Sequence, residues 1–382
     1  MSHCHFVARA KNASMNILIP VTTFERAGGF RVLSELANHW MYDGHTVDFL
    51  VDARSAPPHF PTTATVRRFD SSGAEPDLNA SVAPFAASGN ARSIYLGMLR
   101  ALNRIGASYD VILANHSFTT WPVALARTGR ARKWYYVQAY EPEYYSFESG
   151  WRGRVLQALS ALSYRLPLTQ VVNAPIYLDY KAIRASTWIP PGLDPITYRQ
   201  RTEPPVFYGR KRITLGTIGR KEQTKGTRYV LEAFEQLAAL DERFELCVAY
   251  GNLPGGWQHP RCRVVSPQGD AGLADYYRSI DILLAPGIVQ LGACHYPVLE
   301  AMACGTPVVT TGYLPADASN AWIVPVRNAT AISAAIIAIT LTSQEHLVAK
   351  LDRASLAIEP FHWRNVAAAF VDVLSDGDAV PR

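Results

Sequence analysis

Two successive series of short apolar runs, each spaced by helix-patterned stretches, set the strongest limit on what this chain can fold into. In the first series the runs are Asn16 to Pro20, Thr46 to Val51, Ala64 to Phe69, Asp110 to Ala114, Trp134 to Gln138 and Gln170 to Asn173. In the second they are Ile213 to Ile218, Phe244 to Ala249, Cys262 to Ser266, Asp281 to Ala285, Pro307 to Thr310 and Trp322 to Val326. Brief, continuous apolar runs are what strands buried on both faces require. The intervening stretches carry a different period. After a loop holding Gly28 and Gly29, Leu33, Leu36, Ala37 and Trp40 fall on one helical face, and Gly44 ends that pattern. From Gly226 to Leu240, Val230, Leu231, Phe234 and Leu237 do the same. Strands alternating with amphipathic helices predict parallel sheets covered by helices, an α/β architecture. With 382 residues the chain can build it twice.

The break between the two series is expected at Tyr198 to Lys211, a polar segment with two prolines and no periodicity. The expected organisation is therefore an extension over 1–14, a first domain over 15–197, a linker over 198–211, a second domain over 212–360 and a last helix within 361–376. Two such domains imply an interdomain cleft, with ligands at the carboxyl ends of the strands. Ser71 to Asn90, rich in Ser, Ala, Gly and Pro, is expected to be a mobile loop, since little in it can be buried.

Composition narrows the function classes. Hydrophobic residues make up 48% and charged residues 18%, which suits packed cores and argues against disorder. No run of about 20 apolar residues is present to span a membrane, and the segment before Met15 lacks the apolar centre of a signal peptide. Five scattered cysteines without a CxxC pair fit a reduced, cytoplasmic protein better than a disulfide scaffold or a zinc site. The net charge of +5 comes with no Lys/Arg run, so nucleic acid is not expected as a partner; an anionic small ligand or an anionic membrane surface would suit it equally. No GxGxxG follows any expected strand, which disfavours a nicotinamide dehydrogenase.

Two segments carry chemistry. In GACHYPVLEAMACGTPVVT (Gly292 to Thr310), Pro297 suits the first turn of a helix that presents Glu300 and stops before Gly305. The amides around His295, Tyr296 and Val298 would then form an anion site, and Glu300 could accept hydrogen bonds from two sugar hydroxyls. Equally, Glu300 could be a solvated helix residue. The second segment, Gly219-Arg220 with Lys225-Gly226, follows a strand and precedes a helix. Two cations at a strand's carboxyl end can converge on a diphosphate and stabilise the charge it gains on leaving; the alternative is a solvated basic loop.

GRKEQTKG followed by a helix, then PVLEAMACGTPVVTT, resemble the retaining glycosyltransferases of family 4, which have the GT-B fold of two Rossmann-like domains. AGGFRVLSELANHWMYDGHTVDFLV, IPPGLD (Ile189 to Asp194) and FHWRNVAAAF resemble that family's first loop and helix, its pre-linker segment and its last helix, which crosses back to the N-terminal domain. The likeness runs from Met15 to Val373. VQAYEPEYY and SYRLPL are similar to the bacterial rhamnosyltransferase branch. The resemblance implies transfer of a hexose, rhamnose among the candidates, from a nucleotide-diphosphate sugar to a glycan, lipid-linked or small-molecule acceptor, with retention. Arg220 and Lys225 would hold the diphosphate, Glu300 the ribose, and amides near His295, Tyr296 and Val298 the phosphate, with Gly219, Gly28 and Gly29 allowing close approach. His116 would stand beside the donor sugar. Glu25, Arg26, Tyr140 and Glu141 are acceptor candidates. Gly292 replaces the first of the family's two glutamates, eight positions before Glu300, which puts the sugar in question.

Such transferases need no protein nucleophile, since the leaving phosphate oxygen can take the acceptor's proton. With Arg220 and Lys225 in the role of a cation, no essential metal or cofactor is expected. Asp376-Gly377-Asp378 has DxD spacing but sits in a polar tail. Gly150 to Leu168, with Trp151, Arg152, Arg154, Arg165 and Leu156, Leu159 and Leu162, reads either as a helix resting on the inner membrane face or as one packed on the sheet. A nucleotide-sugar epimerase of the same fold and a non-catalytic nucleotide-sugar or glycan-binding protein are the rival functions.

Overall fold

The computed structural model describes residues 13–76, 91–146 and 150–376. Residues 1–12 of the N-terminal extension, with Cys4, most of the loop expected to be mobile (77–90) and the last two residues of Asp376-Gly377-Asp378 lie outside them. The chain forms two compact units, one of residues 1–191 with 363–382, the other of 192–362.

The first unit holds six parallel strands: β1 (Asn16–Pro20), β2 (Thr46–Asp52), β3 (Thr65–Phe69), β4 (Val111–Ala114), β5 (Arg132–Val137) and β6 (Thr169–Val172). Their spatial order is β3-β2-β1-β4-β5-β6. The second unit repeats this with β7 (Ile213–Ile218), β8 (Phe244–Ala249), β9 (Cys262–Val265), β10 (Ile282–Ala285), β11 (Val308–Thr310) and β12 (Trp322–Ile323), ordered β12-β11-β10-β7-β8-β9. Renumbered within its own unit, each sheet has the dinucleotide-fold order 3-2-1-4-5-6. The direction of winding reverses between β1 and β4 in one unit and between β7 and β10 in the other, and loops leaving the carboxyl ends there part to open a ligand site.

The apolar runs form the strands because they can be buried on both faces. Ile17, Leu18 and Ile19 are inaccessible, as are Leu215, Leu246 and Ile282. In helix Gly28–Tyr42 the residues with helical spacing, Leu33, Leu36, Ala37 and Trp40, are all buried. Helix Trp363–Ser375 closes the first unit: Trp40 donates its indole N–H to Ala367 O at 3.1 Å and meets Phe370 edge-on at 5.4 Å. In the second unit Val230, Phe234 and Leu237 meet Ile332, Ile336 and Ile339 of helix Ala329–Leu341 in one core. Among the described residues no single helix is long and apolar enough to cross a membrane.

The segment expected to link the domains, 198–211, packs on the second unit instead. Tyr198 and Phe207 are buried. The Arg201 guanidinium donates to Tyr277 O, Ile280 O and Thr306 Oγ1, and Arg210 pairs with buried Asp281 at 2.7 Å. These anchors give a polar, aperiodic segment fixed partners, which hydropathy cannot register. The units part earlier, between Pro191 and Gly192.

Candidate functional site

The candidate site residues fall on both units. In the second, Gly219 to Gly226 leaves the carboxyl end of β7 and enters helix Thr227–Leu240. Two glycines fix its path. A β-carbon on Gly219 would lie 1.6 Å from Gly251 O, in the loop after β8. Gly226 has φ +75°, and a β-carbon there would lie 2.0 Å from Pro286 O, after β10. Only glycine permits both contacts. Three further bonds tie the same loops together: Ile288 N–H to Thr224 O at 2.9 Å, Asn252 Nδ2 to Gly219 O at 3.3 Å, and the Arg220 N–H to Thr227 Oγ1 at 3.2 Å. The Thr227 hydroxyl returns a bond to Arg220 O at 3.0 Å. Arg220 and Lys225 are thus carried on a rigid bridge between the loops that follow β8 and β10.

Their charges lack local compensation. Among the described residues neither side chain is in an ion pair. Burial holds the Lys225 ammonium below the ordinary lysine range, the Arg220 charge lowers it further, and Glu222 only partly opposes them. His295, at the start of helix Tyr296–Ala303, feels the same two cations: burial, then Lys225 and Arg220, drive its pKa far down, so it is neutral. Its ring tilts against Tyr313 with centroids 4.8 Å apart, and its Nδ1 is buried without a hydrogen-bond partner among the described residues. A cavity of about 770 Å³ opens beside Arg220, lined also by Gln223, Thr227, Asn252, Leu253, Ile288 and Arg327. Lys225, His295 and Glu300 do not line it.

Glu300 is only 2% exposed, which removes the reading of a solvated helix residue. Its Oε2 accepts the Tyr277 hydroxyl at 2.9 Å. Pro297 occupies the first turn, where its missing N–H costs nothing. The Val298 N–H donates to His295 O at 2.9 Å and Leu299 N–H to the same oxygen at 3.1 Å. That turn takes the Val298 amide out of the set expected to cradle a phosphate. Gly292 has φ +89° and donates its N–H to Gly312 O at 2.8 Å. A glutamate in that left-handed conformation would cost roughly 1–2 kcal/mol.

In the first unit, His116 follows β4 and Glu141 follows β5. Sequence reasoning gave them separate roles; the structure pairs them. His116 Nε2 lies 3.3 Å from Glu141 Oε2, and the same oxygen accepts the Ser117 N–H at 2.9 Å. His116 Nδ1 accepts the Phe118 N–H at 3.2 Å, which places the ring proton on Nε2, facing Glu141. The Phe118 bond holds Nδ1 inside the unit, while the imidazole is 43% exposed with Nε2 toward Glu141. Tyr140 packs against Tyr164 and Tyr180, centroids 5.4 and 4.8 Å apart. Glu25 and Arg26 are exposed in the loop after β1. Gly28 and Gly29 begin the following helix, with Gly29 O accepting from Gln138 Nε2 at 3.4 Å.

Sequence reasoning missed Thr227, Tyr277, Tyr313 and Asn252. Only Thr227 left a trace, as a hydroxyl residue following the loop glycine; the other three reach the site from distant segments. No group of three or more His, Cys, Asp or Glu able to hold a metal ion occurs among the described residues.

Two units of dinucleotide-fold order make a GT-B-like fold, the fold of glycosyltransferases of known structure. Anabaena HepE, solved with UDP and glucose, shares it with a TM-score of 0.67 at 17% identity, over 94% of this chain and 99% of that one. Residues 212–341, most of the second unit, match the family described as glycosyl transferases group 1. A D-inositol 3-phosphate glycosyltransferase of Saccharomonospora viridis is 26% identical over 193 residues, 44% of each chain. Its counterpart from Corynebacterium jeikeium is 31% identical over 143 residues, 33% of each. The chain thus matches less than half the length of these curated relatives.

Proposed function

We propose that this protein is a retaining hexosyltransferase of family 4 type that takes a sugar from a nucleotide-diphosphate donor and passes it to a glycan, lipid-linked or small-molecule acceptor. The observation that carries this reading is the Arg220–Lys225 bridge, on which burial and then the neighbouring Arg220 charge hold Lys225 below the ordinary lysine range until an anion arrives. A diphosphate supplies that anion, and its charge grows as the glycosidic bond breaks, so the attraction is strongest in the transition state. Glu300, buried and oriented by Tyr277, suits the vicinal hydroxyls of a ribose. Neutral His295 can accept or donate one hydrogen bond to the phosphate or sugar without adding to the positive charge. The leaving phosphate oxygen takes the acceptor's proton, so no protein nucleophile and no essential metal enter the reading. Rhamnose remains among the candidate sugars, on the likeness of Val137 to Tyr145 and Ser163 to Leu168. We place the protein in the cytoplasm, which suits the free thiols of Cys247, Cys262 and Cys304.

The test is thermal stability against a panel of nucleotides and nucleotide sugars, with and without Mg²⁺, because a ligand that binds only the folded chain raises the midpoint. A selective, metal-independent rise that is lost in Arg220→Ala and Glu300→Ala supports the donor site, provided both apo variants melt near wild type. A labelled form of the selected donor then distinguishes transfer from epimerisation. No rise with any nucleotide would sink the transferase reading, and binding without product would favour a sugar-nucleotide-binding protein.

A further inference from the structure

Helix Trp151–Ser163 packs its small residues inward and its large ones outward, the reverse of an ordinary core helix. Gly153, Ser160 and Ser163 are buried, whereas Trp151, Val155, Leu159 and Leu162 are 74%, 45%, 39% and 45% exposed. At about 100° per residue, the exposed side chains Ala158, Trp151, Leu162, Val155 and Leu159 fall in one arc of about 100°. Arg152 lies about 20° beyond one edge of that arc and Arg154 about 40° beyond the other. Both arginines are exposed and, among the described residues, unpaired; Arg165 follows just past the helix and is exposed too. No Asp or Glu occurs from Ser149 to Leu178.

An apolar stripe bordered by guanidinium groups and begun by a tryptophan matches a particular surface, the boundary between acyl chains and anionic headgroups. There the stripe enters the acyl region, the indole sits at the headgroup level, and the arginine stems lie along apolar surface while their charged ends meet phosphates. A protein groove would have to offer an apolar floor with acid on both rims; an anionic lipid surface offers that pattern everywhere. We propose that this helix docks the protein in the plane of an anionic membrane. The proposal goes beyond the transferase reading and stands or falls separately, because vesicle binding needs neither donor nor turnover.

The experiment is co-sedimentation of the full chain with phosphatidylcholine vesicles, with and without phosphatidylglycerol, across a range of salt. Binding is expected to the anionic vesicles alone and to weaken with salt. Arg152→Glu with Arg154→Glu should lower the partition coefficient at least about 25-fold, at roughly fivefold for each lost cation. Leu159→Asp should lower it comparably, and both variants should keep the wild-type melting point because the altered side chains are exposed. Failure to bind anionic vesicles at low salt would overturn the proposal, as would binding that neither variant changes. So would a dimer in light scattering that Leu159→Asp dissociates, since a second copy of the chain would then cover the stripe.

Discussion

The two sheets share one strand order, yet their switch points are finished in opposite ways. In the first unit a carboxylate stands beside the histidine: Glu141 receives the Ser117 amide and faces His116, whose second nitrogen accepts from the Phe118 amide, although the buried Ser117 hydroxyl has no partner among the described residues. In the second unit no carboxylate plays that part. Arg220 and Lys225 share a loop without a carboxylate paired to either, and His295 keeps a buried nitrogen without a partner among the described residues. Arg220 is exposed, but Lys225 is partly buried, and a partly buried charge without a paired carboxylate costs stability, a cost that a bound anion offsets. The contrast teaches that topology locates the possible sites, while the balance of charge indicates which one is waiting for an anion.

Replacing Arg220 tests that contrast most severely. If the cations act on a leaving diphosphate, Arg220→Ala should lower kcat/KM for donor turnover by about 10²–10³-fold, as loss of one preorganised charge-stabilising donor does. An unchanged rate would show that the loop is an ordinary basic surface. Glu300→Ala should come next, weakening UDP binding about 10–100-fold in calorimetry through the loss of hydrogen bonds to a charged acceptor. Because Glu300 is buried, the apo melting point must be read beside it; Glu300→Gln, which keeps the volume, should retain the fold and still lose most of the affinity.

How much of this could be read in the sequence depends on the distance over which each feature is encoded. The strands were legible because each is a local apolar run: Ile213 to Ile218 and Phe244 to Ala249 form where the pattern places them. The loop cations were legible as a strand–loop–helix motif. What completes each site was not, because the partners arrive from elsewhere in the chain. Tyr277 reaches Glu300 from 23 residues away, and Glu141 reaches the Ser117 amide across 24. The role of Gly219 depends on Gly251 O, in a different loop. Segment 198–211 shows the same limit: its arginines are anchored by backbone oxygens and by a buried aspartate that hydropathy ignores.

A pH series sharpens the comparison further. Lys225 has its pKa lowered in the free protein, first by burial and then by Arg220. A bound diphosphate would raise it again, so binding takes up a proton in the interval between the two values. UDP affinity should therefore fall as pH rises through that interval, by about tenfold for the loss of one charge-assisted contact. Lys225→Arg, which stays charged, should flatten the profile. A profile equally steep in the variant would assign the titration to another group.

The smallest effect is expected from Glu141→Gln, and its smallness is what makes it informative. Glutamine keeps an oxygen for the Ser117 amide, so the buried N–H retains a partner. What is lost is the negative charge facing His116 across 3.3 Å, in a pair whose histidine is half-exposed and partly screened by water. Urea unfolding should accordingly lose no more than about 1 kcal/mol. UDP affinity should not change, because Glu141 is a carboxylate facing His116 and offers no cation to a nucleotide. Should UDP affinity fall tenfold in this variant while the fold holds, Glu141 would belong to the nucleotide site, and the division into one carboxylate-bearing and one anion-seeking switch point would fail.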